Sequence, residues 1–171
     1  NLTVEAKDGA NGGGARATAY DKTVNFYVDG VPGGPEVMDN DGVPDDLTGL
    51  PQQYSFTVGA GGNNGIKTFP IRLRKAGART LRVEENVTQS PAGTLNVTVQ
   101  PAGAEKIQLI ADYDPAGEQP APGKMAPSGF EGRTGTPRSK LAGSPVTYLV
   151  QVVDHYWNLS LSSAASVTVS D

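Results

Sequence analysis

TYLVQVVD, residues 147–154, sets an apolar side chain at every second position (Tyr148, Val150, Val152) and closes on Asp154. That is the period of a strand with one buried face. The N-terminus repeats the pattern, since NLTVEAKD at 1–8 carries Leu2, Val4 and Ala6 in the same alternation and ends on Asp8. Each run is followed by turn residues and a second β-rich run, KTVNFYV at 22–28 and ASVTVS at 165–170. The repeat predicts an all-β chain of two β-sandwich modules, organised as part of an extracellular array or assembly.

Composition agrees with short strands and many turns. At 171 residues the chain is long enough for one large or two small domains. Glycine and proline make up 35 residues, about a fifth, above ordinary globular usage but below that of low-complexity chains. A formal net charge of -4 supplies no basic footprint, which argues against nucleic acid and anionic membrane surfaces as partners. The absence of cysteine excludes disulfides, thiolate zinc sites and thiol nucleophiles. No apolar run is long enough to predict a membrane-spanning helix. Because Asn1 opens directly in a strand pattern, the chain reads as a mature or partial one, and the lack of cysteine suits a secreted or cell-surface protein. N-x-S/T triplets begin at Asn1, Asn86, Asn96 and Asn158, a pattern that threonine-rich strands also generate by chance.

Taken in order, the glycine-rich stretch at 9–19 is a connection between strands. A phosphate-cradling loop would need a helix beyond it, and a strand follows instead. Residues 29–49 read as the longest irregular segment of the first module and contain DNDGVPDD at 39–46. Four carboxylates crowded into a turn at Gly42 and Pro44 repel one another, and a hard cation relieves that repulsion. Asp39, Asp41, Asp45 and Asp46, with the Val43 carbonyl, form an oxygen ligand set suited to calcium. Strand runs follow at 53–58, 65–73, 78–85 and 93–100, with Pro70 marking an edge or a bulge. The first module thus spans 1–100, a hinge of Pro101, Ala102 and Gly103 follows, and a second module covers 104–171. That module opens with EKIQLIAD at 105–112 and carries a long Pro/Gly-rich insertion at 113–142. Arg133, Arg138 and Lys140 make the insertion locally basic and able to dock on an acidic neighbour.

Little here predicts catalysis. His155 is the only histidine, and Asp154 beside it points to the opposite strand face, so the two form no relay; Asp112 and Asp114 are the other relay partners that the sequence leaves open. Glu84 and Glu85 are adjacent on a strand and face opposite ways as well. No enzyme activity is expected. Tyr156 and Trp157 offer two readings, an aromatic cap on the sandwich end or a stacking platform for sugar rings.

Several stretches resemble a known family. Leu50-Pro51, YSFT at 54–57, GIKTF at 65–69 and KAGARTLRV at 75–83 are similar to the LP, YTFT, NGVKTF and KTAGTQTITV progression of bacterial immunoglobulin-like repeats. GTP at 135–137, Ala142-Gly143, the strand ending at Asp154 and the pair Trp157-Asn158 resemble the same repeats further on. The resemblance implies tandem immunoglobulin-like β-sandwich modules serving as stalk, spacer or lattice unit of a surface protein. Asp39, Asp41, Gly42 and Asp45 also match the DxDGxxD calcium turn of thrombospondin type 3 repeats, from which Val37 departs. Against the immunoglobulin-like pattern, both modules read as incomplete within 171 residues. Completion is expected either from a longer chain or from neighbouring copies that lend strands. The functional expectation is a structural component of a surface layer, stalk or filament, with copies of itself as partners. An adhesin or carbohydrate-binding module that takes glycans is the alternative.

Overall fold

The computed structural model describes residues 1–9, 13–32, 36–38, 44–48, 52–90, 92–125, 131–161 and 168, with 31–32, 36–38 and 44–48 described by backbone alone. Every regular element among them is a β-strand, so the chain is all-β. It divides into two compact units, Asn1–Leu73 with Ala78–Thr98, and Arg74–Gly77 with Val99–Asp171. The sequence reading set the boundary at 101–103. The division falls instead after Thr98, and it transfers the short Arg74–Gly77 segment to the second unit.

In the first unit the strands are β1 (Leu2–Glu5), β2 (Thr23–Val28), β3 (Val31–Pro32), β4 (Glu36–Met38), β5 (Pro44–Thr48), β6 (Gln53–Ser55), β7 (Ile66–Phe69), β8 (Arg72–Leu73), β9 (Gly77–Glu85) and β10 (Ala92–Val99). One sheet runs β10-β9-β2-β3, with β6 also on β2; β1 pairs β7, and β4, β5 and β8 form a third sheet. The period-2 pattern of β2 becomes strict alternation of burial, with Val24, Phe26 and Val28 inward. Across from them Phe69 of β7 meets Phe26 edge-to-face at 5.2 Å, and Tyr54 meets Phe69 and Phe56 at 5.2 and 5.3 Å. Edge-to-face rings put a positive edge against a negative face, a contribution beyond burial alone. Leu81 closes this sandwich-like core, and Leu2 and Val4 of β1 pack against it only in part.

Two expectations need correction here. Residues 29–49 are not irregular, since β3, β4 and β5 lie within them. The run 65–73 is not one strand either: Pro70, which has no N–H for the ladder, divides it into β7 and β8, which join different sheets. At the turn before β7, Asn64 and Gly65 both have positive φ, and a Cβ on Gly65 would lie 2.2 Å from the Ala17 carbonyl oxygen.

In the second unit β11 (Lys106–Ala111) pairs antiparallel with β14 (Tyr148–Val153), and β12 (Gln119–Pro120) pairs with β13 (Arg133–Thr134). The stretch at 113–142 is therefore not a featureless insertion: it contributes a small hairpin. The register sets Ile107, Leu109, Ala111, Tyr148, Val150 and Val152 on one face of the β11–β14 sheet, with Gln108, Ile110, Leu149, Gln151 and Val153 on the other. The second face is covered, with Ile110 and Val153 fully buried and the Gln108 amide donating to the Gly132 carbonyl. The first is bare, with Ile107, Leu109 and Tyr148 55%, 56% and 58% exposed.

Candidate functional site

The calcium turn read from the sequence falls largely outside the described residues, as Asp39, Asp41 and Val43 do. Asp45 and Asp46 occupy consecutive positions of β5, described by backbone alone. The backbone pairing of Met38 with Pro44 brings the two ends of that stretch side by side. Among the described residues no three His, Asp or Glu side chains gather as a metal site.

The end of β14 is the best-defined polar centre. Its sequence folds into a tight return: Asp154 accepts backbone N–H bonds from Tyr156 at 2.8 Å and Asn158 at 2.9 Å, which turns the chain. The chain then runs back antiparallel, with Val153 bridged to Leu159 and the Ser160 N–H donating to the Val152 carbonyl. Asp154 is fully buried, and its second oxygen accepts from the Ala102 N–H at 2.8 Å. Burial alone would raise its pKa. The Asn158 amide and the backbone donors outweigh that and hold it below the ordinary carboxylate value. Asn158, also buried, accepts from the Ala76 N–H at 2.7 Å and donates to the Arg74 carbonyl at 2.8 Å. One Asp-Asn pair thus ties three separate chain segments together within the second unit. The segment read as a hinge is pinned at Ala102, and the Asn158 amide is engaged by Ala76, Arg74 and Asp154.

Trp157 follows in a left-handed backbone conformation, φ 64°. Gly132 lies flat against the indole, where a Cβ would fall 2.3 Å from the ring. The Lys106 ammonium sits 4.5 Å from the ring centroid and also donates to the His155 carbonyl. With a glycine and a cation on it, the indole is packed between partners, while Tyr156 turns edge-on to His155 at 5.1 Å. His155 in turn pairs with Glu105 at 3.0 Å on the surface.

The basic residues of 113–142 are engaged by the chain's own acids, among them Asp112 and Asp114, which the sequence offered only as partners for His155. Arg138 binds Asp112 through Nε at 2.6 Å and Nη2 at 2.9 Å, Lys140 reaches the same carboxylate at 2.7 Å, and Arg133 pairs with buried Glu118 at 3.1 Å. Arg138 and Lys140 hold the Asp112 carboxyl well below the usual range. The only hint of this pairing in the sequence was the aspartate closing the run at 105–112, which the structure places at positive φ.

A cleft opens in the first unit. It measures about 610 Å³ and reaches Val24, Phe56 and Tyr20, and a neighbouring recess of about 280 Å³, reaching Phe26 and Leu81, shares Val4, Val83 and Gly93 with it. Comparison of the chain with protein-family models, with curated proteins and with solved structures finds no match.

Proposed function

We propose that the protein is a structural component of an extracellular surface assembly, a filament, layer or stalk of immunoglobulin-like sandwich modules. The observation that carries this reading is the bare face of the β11–β14 sheet. A two-stranded sheet is marginal on its own and must bury an apolar face against another layer. Here the opposite face is already covered by the chain's own hairpin, yet Ile107, Leu109, Tyr148 and Val150 remain exposed. Contiguous apolar surface of this kind marks contact with another protein layer. An architecture of strands and turns, with many of the described charged side chains paired to each other, fits a scaffold better than a reaction site. Calcium held by Asp39, Asp41, Asp45, Asp46 and the Val43 carbonyl would stiffen such a unit. The packed environment of Trp157 favours an end cap over a sugar platform.

Electron microscopy and sedimentation of the purified chain, with and without a calcium chelator, test the proposal. Ordered filaments or sheets that dissolve on chelation are expected. A protein that stays monomeric at high concentration with calcium present would overturn the assembly reading, and assemblies indifferent to chelator would remove the calcium part of it.

A further inference from the structure

We propose that the cleft between β1 and β10 is an acceptor for a β-strand, and that the strand it accepts is residues 165–170 of a second copy of the chain. The proposal rests on the assembly reading and names the joint that builds it.

The lining shows what shape of ligand fits. Residues 2–7 border the two connected recesses in unbroken succession, and so do residues 92–95. Side chains alternate between faces along a strand, so an unbroken series means that the cleft follows the backbone edges rather than one face. Both edges are free among the described residues: β1 pairs only with β7, and β10 only with β9. Ala6 donates to Gly65 on the β7 side, so by two-residue alternation Thr3 and Glu5 turn their backbone groups toward the cleft. The direct Thr3–Thr68 hydroxyl contact at 2.9 Å agrees, since side chains approach most closely at the pairs that exchange no backbone bonds. The floor is apolar, formed by Phe26, Leu81 and Val83, while Leu95 on the rim stays 46% exposed. Unpaired N–H and C=O groups above an apolar floor are what an extended peptide satisfies, its backbone pairing with an edge and its alternate side chains entering the core. A compact small molecule would leave the edges unpaired.

The occupant is indicated by the chain itself. Residues 165–170 set Ala165, Val167 and Val169 against Ser166, Thr168 and Ser170, uncharged throughout, with side chains small enough for a recess of about 280 Å³. Six extended residues span roughly 20 Å, the length of the 2–7 edge. The return along β14 pairs Leu159 with Val153. Thr168, the described residue of this run, is exposed and outside any strand. With a donor and an acceptor on every copy, the contact is head-to-tail and propagates.

The chain has no cysteine, so single thiols can report the joint. Full-length Leu95→Cys protein is mixed with full-length Val167→Cys protein under mild oxidation, with Val87→Cys, 82% exposed in the turn after β9, replacing Leu95→Cys as control. Docking raises the local thiol concentration, so the Leu95/Val167 pair should link at least roughly tenfold faster than the control pair. Equal rates would overturn the proposal, and so would a double variant that closes within one chain at high dilution, because the segment then serves its own cleft. Sedimentation of a Val167→Asp, Val169→Asp variant separates this joint from the wider reading. Loss of wild-type assembly is expected; assembly that persists removes the strand joint and leaves the surface-assembly reading intact. A wild type that never assembles, together with selective linkage of the Leu95/Val167 pair, would keep the acceptor and remove the surface role.

Discussion

Asn158 shows how much one amide can organise. Its side chain accepts from Ala76, donates to Arg74 and meets the Asp154 carboxylate, all at 3.2 Å or less. Replacing it with alanine leaves a buried carboxylate and two backbone groups short of partners. Each such loss costs roughly 1–3 kcal/mol, so Asn158→Ala should lose about 2–4 kcal/mol of stability. Urea denaturation of the two proteins measures this, and an unchanged midpoint would mean that the hub is ornamental. Gly132→Ala tests the indole pocket. The new methyl would meet the Trp157 ring at a backbone φ of 69°, so overpacking and strain act together, and a loss of about 1–3 kcal/mol is expected. Red-shifted tryptophan emission should accompany it, since the ring must move toward water.

At the scale of elements, the insertion is held to β11 by the Asp112 cluster. The unfolded chain binds a proton at Asp112 near pH 4, whereas the folded carboxylate, held by Arg138 and Lys140, releases it at lower pH. The unfolded state therefore binds more protons in acid. Stabilisation from this group is complete above about pH 5 and is lost as the pH falls through the folded value. Urea midpoints compared at neutral pH and near pH 3 should fall further for the wild type than for Asp112→Asn, and parallel pH profiles would remove the cluster as the acid-sensitive element. The bare β11–β14 face behaves differently. Leu109 is already more than half exposed, so Leu109→Lys should change the stability of the isolated chain by no more than about 0.5 kcal/mol while abolishing assembly seen in sedimentation. A large drop in stability with assembly retained would show that the face is covered within the chain itself.

At the scale of the whole molecule, alternation in the sequence located most strands. TVNFYV became β2 with strict alternate burial, and TYLVQVVD became β14, although the face read as buried, with Tyr148 and Val150, is the exposed one and Val153 on the opposite face is buried. All-β character, the absence of thiol chemistry and the turn-rich chain were equally legible, because they depend only on local composition and period. The interruption at Pro70 was legible as a warning, though not as a change of sheet. Hidden were the strands within 29–49, whose Gly, Pro and Asp content reads as loop, and the β12–β13 hairpin, whose strands are two residues each. Hidden as well was the candidate joint. Thr3, Glu5 and residues 92–95 look in sequence like any other strand residues, and only the pairing of β1 with β7 and of β10 with β9 leaves their outer edges facing one cleft. Asp154 and Asn158 stood out in the sequence only through their resemblance to a surface repeat, yet the partners of Asn158 stand as far as 84 residues away. The sequence by itself determined where the regularly alternating runs extend and which side of each of those runs is apolar, because both follow from a period of two along the chain. Which edges remained unpaired, which face stayed bare and which segments Asn158 gathered were decided by tertiary structure alone, since hydrogen bonding and burial between distant segments depend on which strands meet.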